Sequence, residues 1–217
     1  VGAGVVTRTL ELGGVTRPDL LGMRSDGGLE VALAFRARPF ARTRHLWALR
    51  VEGAHARTVG MTARRPGGPA ADFLQTASHL AVAWDVSAAL AGARVELAPR
   101  VGAHHISARA APAAGALPAV DILAAELGAE LASTVAERLE LRVSGAYLWA
   151  LDAGGLERPD VLGAASGGGP RLLARAEYAF GDAGLGVELS WQSLSLEGGG
   201  GGGAARAEDQ AVRAGAF

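Results

Sequence analysis

The sequence predicts an all-β protein, a closed antiparallel up-and-down barrel of about ten strands that spans a membrane. Two observations predict it. Apolar and polar residues alternate with period two in one stretch after another, and the segments that join these stretches alternate between long and short. Successive side chains of a strand point to opposite faces, so each stretch has one apolar and one polar face. Short turns at one end and long loops at the other are typical of transmembrane β-barrels.

The stretch 137–151 shows the pattern most clearly. Leu141, Val143 and Trp149 fall on one parity, whereas Glu140 and Arg142 fall on the other. The same alternation places the ten predicted strands, in order, at 1–12, 28–38, 46–59, 79–90, 93–107, 120–134, 137–151, 170–180, 185–192 and 207–217. The first strand has apolar residues on both parities, so its facing is left unassigned.

The breaks between strands contain the residues that end strands. Gly- and Pro-rich segments predict long loops, and tight breaks predict short turns. The predicted long loops are 13–27, 62–78, 108–118, 152–169 and the glycine run around 198–203, and the predicted short turns are 39–44, 91–92, 135–137 and 181–183. With ten strands, both termini lie at the short-turn end.

The segment 120–134 also fits a helix. Leu123, Leu127 and Leu131 recur at helical spacing among good helix formers. The alternation of long and short connections and the clean period two after Leu139 favour a strand. A helix here would leave an odd number of strands.

Composition narrows the functional classes. The 217 residues fit one domain, 1–217, and the net charge is −1. All basic residues are Arg. Because basic and acidic residues nearly balance, the charge does not indicate a nucleic-acid-binding surface. Cysteine is absent, and no apolar run approaches the roughly 18–20 residues of a transmembrane helix. Because the chain opens with Val and shows no signal peptide, we expect a mature or excised segment.

The charged parity predicts the barrel interior. Eight Arg face nine acidic residues, and small residues lie between them. Buried charges must be paired, so we expect an ion-paired and largely filled lumen. A lipid-facing Arg at the bilayer midplane costs about 2–4 kcal/mol, which excludes the opposite facing for so many residues. The predicted lumen network is Glu30, Arg36, Arg38, Arg50, Glu52, Asp85, Arg94, Glu96, Arg100, Glu126, Glu130, Arg138, Glu140, Arg142, Arg175, Glu177 and Glu188.

Aromatic residues on the apolar parity gather at two levels, as membrane-interface girdles do. The predicted interface aromatics are Phe35, Trp47, Tyr178 and Phe180 near the short turns, and Tyr147, Trp149 and Trp191 near the long loops. Trp84 lies nearer mid-strand. A soluble barrel would carry these residues in its core, and periodicity alone does not separate the two alternatives.

By its strand pattern and balanced polar face, the chain resembles the bacterial outer-membrane β-barrel proteins, particularly the small eight- to ten-strand class. Phe217 fits the terminal Phe of that class, whereas Gly215, Arg213 and Asp209 depart from its alternate apolar positions. The resemblance implies an outer-membrane location with the short turns in the periplasm and the long loops outside. It implies the lipid bilayer as partner, with envelope proteins meeting the loops or turns.

Members of that class include proteases, lipid A-modifying enzymes, phospholipases, anchors and narrow channels. We expect a non-enzymatic barrel, structural or narrowly conducting, with no cofactor and no metal. The alternatives are a soluble lipocalin-like or surface-adhesin binding barrel and a barrel-embedded hydrolase. Candidate hydrolase residues are His79 with Asp85 and Ser87, and His104 or His105 with Ser107. Adjacent His104 and His105 point to opposite faces, which makes them a poor metal pair.

Overall fold

The computed structural model describes residues 1–13, 22–40, 42, 46–64, 68, 70–90, 93–110, 119–180, 183–199 and 204–217. These residues form thirteen strands and one short 3-10 helix, Gly154–Glu157. The strands are β1 (Gly2–Gly13), β2 (Gly22–Ser25), β3 (Gly28–Ala37), β4 (Leu49–Val59), β5 (Thr62–Arg64), β6 (Ala70–Trp84), β7 (Val86–Leu90), β8 (Ala93–Ala110), β9 (Val120–Ala136), β10 (Leu139–Asp152), β11 (Ala165–Phe180), β12 (Ala183–Gly198) and β13 (Ala205–Ala216).

Ten long strands close into a ring, and the predicted up-and-down antiparallel barrel is confirmed. Going round the ring, β1, β3, β4, β6 and then β8 to β13 pair with their neighbours, and β13 returns to β1. The closing pair is antiparallel from Ala3 opposite Ala216 to Gly13 opposite Arg206. Closure gives every long strand a partner on both edges, so the ring offers no free edge to an apolar medium.

The three short strands are additions to this ring. β2 and β5 pair with each other and join β1 to β6 at the long-loop end. β7 continues the course of β6 beyond Asp85 and pairs with β8 alone.

The segment with helical spacing is a strand, as predicted. β9 pairs with β8 and β10 along nearly its whole length. Leu123, Leu127 and Leu131 are spaced by four residues, which is close to a helical turn and also an even number of strand positions. Their side chains are 40–56% exposed on the outer face.

Parts of four predicted loops are strand, and there the prediction is wrong. The segment 13–27 contains β2, the segment 62–78 contains β5 and the start of β6, the segment 108–118 contains the end of β8, and the segment 152–169 contains the start of β11. β6 begins at Ala70 because Phe73, Gln75 and Ala77 are buried on the inner face and extend the alternation upward. The expected connections at 91–92, 111–118, 181–182 and 200–203, and most of 41–45, lie outside the described residues.

The outer wall of the barrel is apolar around the short-turn half of the strands. Leu33, Val101, Val143, Leu185 and Val187 are each more than half exposed, and their neighbours on the opposite parity face inward. We call the outward-facing apolar side chains of the ten long strands the apolar belt. Buried Arg50, Arg100, Glu126 and Glu130 lie on the inner face. Aliphatic groups outside and charged groups inside is the facing that the sequence predicts.

Among the described residues, no helix is long and apolar enough to cross a membrane.

Candidate functional site

The interior of the barrel has two layers of different chemistry. The layer near the long loops is an apolar core. Its larger members are Val6, Leu10, Leu12, Met23, Met61, Phe73, Ile106, Val120, Ile122, Leu148, Leu156, Val161, Leu162, Leu194 and Leu196. We call this cluster the apolar plug. The layer near the short turns holds the charged residues. The sequence predicts ion pairs throughout the lumen, and this division into two layers is not predicted.

The segment after β10 completes the plug. Leu156 on the 3-10 helix and Leu162 just beyond it are fully buried in the apolar cluster. The backbone N–H of Leu162 donates to the Leu156 carbonyl at 3.0 Å, and the Gly154 N–H donates to an Asp152 carboxylate oxygen at 2.7 Å. These bonds fold the segment into a compact turn whose leucines occupy the long-loop end of the barrel.

One charged pair lies among the plug residues. The Arg8 guanidinium donates to both carboxylate oxygens of Asp209, at 2.6 and 2.7 Å, and to the Gln75 amide oxygen at 3.3 Å. Arg8 and Asp209 are each 1% exposed. A bidentate pair on adjacent strands links β1 to β13 across the closing seam of the ring.

Glu130 is the centre of the charged layer. It accepts hydrogen bonds from Arg50 and Arg142, both at 2.8 Å, and Arg36 lies 3.9 Å away. Arg50 also pairs with Asp85 at 3.0 Å. These ion pairs link the strands β4, β9 and β10 through side chains in the lumen.

Glu126 forms a second centre of ion pairs, four positions before Glu130 on β9 and nearer the long-loop end. It pairs with Arg100 at 2.7 Å and Arg171 at 3.1 Å, and His79 Nε2 lies 3.4 Å from it. Arg100 continues to Glu52 at 3.1 Å. Glu126 and Glu130 share the inner face because they are four positions, an even number, apart on one strand.

Further ion pairs lie near the seam between the first and last strands, β1 and β13. Arg213 donates to Glu30 at 3.1 Å, and Arg175 pairs with Glu188 at 3.5 Å. The guanidinium of Arg175 also lies 3.7 Å above the ring of Phe217. The Phe217 ring points into the lumen, where a side chain at Gly186 would clash with it.

A cavity of about 430 Å³ lies within the charged layer and opens toward the short-turn end. Its lining includes Glu30, His79, Arg171, Glu177 and Phe217. The plug lies at the other end of the lumen, so the barrel holds a vestibule closed on one side.

The predicted lumen residues are distributed as follows. Ion pairs within the same layer also involve Arg36, Arg38, Glu52, Asp85 and Glu140. Glu177 lines the cavity, Glu96 lies half-buried near the short turns, and Arg138 is exposed at the turn between β9 and β10. The side chain of Arg94 lies outside the described residues.

Sequence reasoning misses Arg8, Asp209, Arg171 and Arg213. Arg8 lies on the strand whose two parities both hold apolar residues, because the plug makes the inner face apolar there. Arg171 lies at the start of the predicted strand 170–180 and shares the parity of Arg175 and Glu177, and that spacing was the available signal. Arg213 and Asp209 share one parity with Gly215 and Phe217, and that regular spacing was the available signal.

The predicted interface aromatics face outward. Phe35, Trp47, Tyr147, Trp149, Tyr178 and Phe180 are 41–57% exposed, and Trp191 is half-buried. Two contacts bring neighbours together: the Tyr147 and Trp149 rings lie 4.8 Å apart, as do those of Tyr178 and Phe180. Ring pairs of this spacing add contact area at the outer surface.

The hydrolase residues expected from sequence do not assemble in the lumen. His79 bonds Arg100, whereas Asp85 bonds Arg38 and Arg50. His104 is buried with its ring edge-on to His79 at 6.0 Å. His105 points outward and bonds Asp121, and the side chain of Ser87 lies outside the described residues. Within the described ranges, no three His, Asp or Glu residues are placed to hold a metal ion.

Comparisons with known proteins give no family. No family model matches the chain, and no curated protein does. An active-site mutant of the outer membrane phospholipase A of Escherichia coli is similar at 11% identity and a TM-score of 0.36, covering 97% of this chain and 89% of that one. A triple mutant of the Rhodopseudomonas blastica porin is similar at 9% identity and a TM-score of 0.18, covering 98% of both chains. The description of this barrel therefore rests on its own strand pairing.

Proposed function

We propose that the chain is an integral outer-membrane β-barrel of a bacterium, whose filled lumen makes it a structural barrel rather than an open pore, with specificity in its long loops. The observation that carries this proposal is the facing of the wall. Leucine and valine side chains lie outside while arginine and glutamate side chains pair inside.

Burial energetics support the membrane location. Apolar area gains roughly 25 cal/mol per Å² on leaving water, and an outer wall of half-exposed leucines and valines forgoes that gain in aqueous solution. A large exposed apolar patch on a protein marks a membrane or protein contact. The aromatic residues at both ends of the apolar belt have the placement of interfacial girdles.

The competing soluble lipocalin-like barrel requires the reverse facing. Such a barrel lines its interior with apolar side chains and keeps charges in water. In this chain only the long-loop half of the interior is apolar, and the outward residues around that half include Glu11, Arg109 and Arg206, whereas the outer wall around the charged layer is apolar. A wall that faces lipid around the charged layer accounts for the reversed facing there.

The lumen supports a structural role over a narrow channel. The plug fills the long-loop half, and the charges of the other half neutralise one another at 2.7–3.1 Å. An ion would have to displace packed leucines and break these pairs to pass. Within the described residues, the vestibule has no continuation through the plug.

Planar-bilayer recording tests the closed lumen. After the chain is refolded into detergent and reconstituted, we expect heat-modifiable gel mobility and no steady conductance. Refolded protein that shows stable nanosiemens steps contradicts a filled lumen, and protein that stays monodisperse in buffer without detergent contradicts the membrane location.

A further inference from the structure

The vestibule has two walls of different chemistry. On one side, β1, β3 and β4 contribute small residues, among them Gly4, Ala32, Ala34 and Ala54. On the other side, β11 and β13 contribute three arginines. The cavity lies in the space that the small side chains leave open. Its volume of about 430 Å³ is within the range of roughly 300–1,000 Å³ that is usual for small-molecule sites.

Two arginines of the vestibule have most of their hydrogen-bond donors free. Arg171 donates to Glu126 through Nη1 at 3.1 Å, and Arg213 donates to Glu30 through Nε at 3.1 Å. A guanidinium group has five N–H donors, and these are the only hydrogen bonds of the two groups among the described residues. The two side chains are 13% and 16% exposed. Free guanidinium donors in a cavity are suited to bind an anion.

The carboxylate that these cations share is hidden from the cavity. Glu126 pairs with Arg100 and Arg171, lies 3.4 Å from His79, and has a side chain that is 0% exposed. Among the described residues, six arginines and five glutamates line the cavity, and Glu126 is not one of them. The surface that a ligand meets therefore has one arginine in excess, and Glu126 offsets that charge only from behind.

The strand between the two arginines carries a buried polar group without a partner. On β12, Gln192 is directly opposite Arg171, and Ser190 is directly opposite Arg213. Gln192 is 3% exposed, and neither atom of its amide has a hydrogen-bond partner among the described residues. An unsatisfied buried amide is costly, and directly opposed residues have Cβ atoms about 4.5–5.5 Å apart. The Gln192 amide can therefore donate to an anion that Arg171 holds.

We propose that the vestibule binds a small organic anion, a monocarboxylate with a compact apolar body, which enters at the short-turn end. Its carboxylate accepts hydrogen bonds from Arg171 and Arg213, and the amide nitrogen of Gln192 is a third donor. Its apolar body packs against Ala32 and Ala34. This goes beyond the structural role of the barrel and requires no conduction, because the plug closes the other end of the lumen.

The charges of the cavity favour a single carboxylate. A guanidinium fork matches the planar carboxylate and can bind it through two parallel hydrogen bonds. Glu30 and Glu188 line the same cavity, so a second negative charge on the ligand would lie close to a carboxylate. A neutral ligand would leave the free arginine donors without a charged acceptor. A monocarboxylate with an apolar body meets both walls.

The test uses the full chain refolded in detergent micelles, with 4-fluorobenzoate as the probe and its fluorine NMR linewidth as the measure of binding. Empty micelles give the background. We expect saturable broadening, and the uncharged 4-fluorobenzamide, which has nearly the same size, should bind about 10-fold more weakly or less. Inorganic phosphate at equal concentration should not displace the probe. Displacement by phosphate would overturn the choice of a carboxylate.

Arg213→Gln should weaken binding of the probe roughly 10- to 100-fold, because it removes a charged donor and leaves Glu30 unpaired beside the anion. Arg206→Gln is the matched control on the outer face of the same strand, where Arg206 is 57% exposed and pairs with Glu208. The control should bind like the wild type. Undiminished binding in Arg213→Gln, or equal loss in the two variants, overturns the assignment of the arginine.

Ala34→Phe fills the cavity without removing a charge, so it keeps the test decisive if the charge variant fails to fold. It should abolish binding. Ala129→Phe is its control, since Ala129 faces outward on β9. Heat-modifiable mobility shows which variants fold. Binding that survives in folded Ala34→Phe places the probe elsewhere and overturns the site. A folded wild-type barrel that broadens the probe no more than empty micelles also overturns it, and leaves the structural role intact.

Discussion

Glu130 shows what a single buried charge does in this barrel. Its carboxylate is bonded by two guanidinium groups and is 4% exposed. Pairing in such a site offsets a large desolvation cost, so a buried ion pair contributes little net stability. Removing one partner is strongly destabilising, because the other charge stays buried without it. The same reasoning applies to Arg8 and Asp209, where the surroundings are apolar.

Replacing Glu130 by Ala should destabilise the barrel by about 3–5 kcal/mol, because Arg50 and Arg142 are left without that partner in a buried site. Urea unfolding of the refolded protein in lipid vesicles, followed by tryptophan fluorescence, measures the change. Glu208→Ala is the control, since the exposed Glu208–Arg206 pair should contribute within about 1 kcal/mol. Equal effects of the two substitutions would contradict the buried network.

At the level of elements, β9 and β1 mark how far the sequence predicts the structure. For β9, the outward leucines and inward Glu126 and Glu130 alternate cleanly, and its strand is predicted correctly. For β1, the inner face carries Val6, Arg8, Leu10 and Leu12. A strand that passes from a charged layer to an apolar one loses its alternation, so its facing follows only from its pairing with β13.

The division of the interior into two layers could not be predicted from the sequence either. Period two tells which residues share a face, but the height of each residue depends on register between strands. The pairs Arg50–Glu130 and Arg171–Glu126 join residues distant in sequence. Charge balance predicts that pairs form, and register decides which ones.

Leu156→Ala should destabilise the barrel by about 2–5 kcal/mol, since it leaves a cavity in the plug beside Leu162. Leu151→Ala is its control. Leu151 is 65% exposed on the lipid side, where lipid chains refill the space and no cavity remains. Urea unfolding in vesicles checks both variants, and a larger effect at Leu151 would place the packed layer on the wrong side of the wall.

On the scale of the whole molecule, the barrel is a cylinder whose short-turn half has its apolar surface outside and its charges within, and whose long-loop half holds the apolar plug. One consequence concerns position along the wall. An arginine facing lipid costs about 2–4 kcal/mol at the midplane and about 0–1 kcal/mol near the interface. The cost of such a substitution should therefore follow the position of its strand residue between the two aromatic levels.

Leu127→Arg, in the middle of β9, should destabilise the reconstituted barrel by about 2–4 kcal/mol, whereas Leu151→Arg, at the long-loop end of β10, should cost about 0–1 kcal/mol. Both leucines are more than half exposed, so neither substitution disturbs a packed core. Urea unfolding in vesicles measures both. Equal costs, or a stabilising Leu127→Arg, would show a wall in contact with water.

The most direct measurement is quenching of Trp84 by lipid. In a variant that keeps Trp84 and replaces Trp47, Trp149 and Trp191 by Phe, the remaining indole faces outward on β6 and is 39% exposed. We predict strong quenching of its fluorescence by lipids with bromine on the acyl chains and little quenching by iodide in the buffer. Quenching by iodide without quenching by the brominated lipids would contradict a wall that faces the membrane.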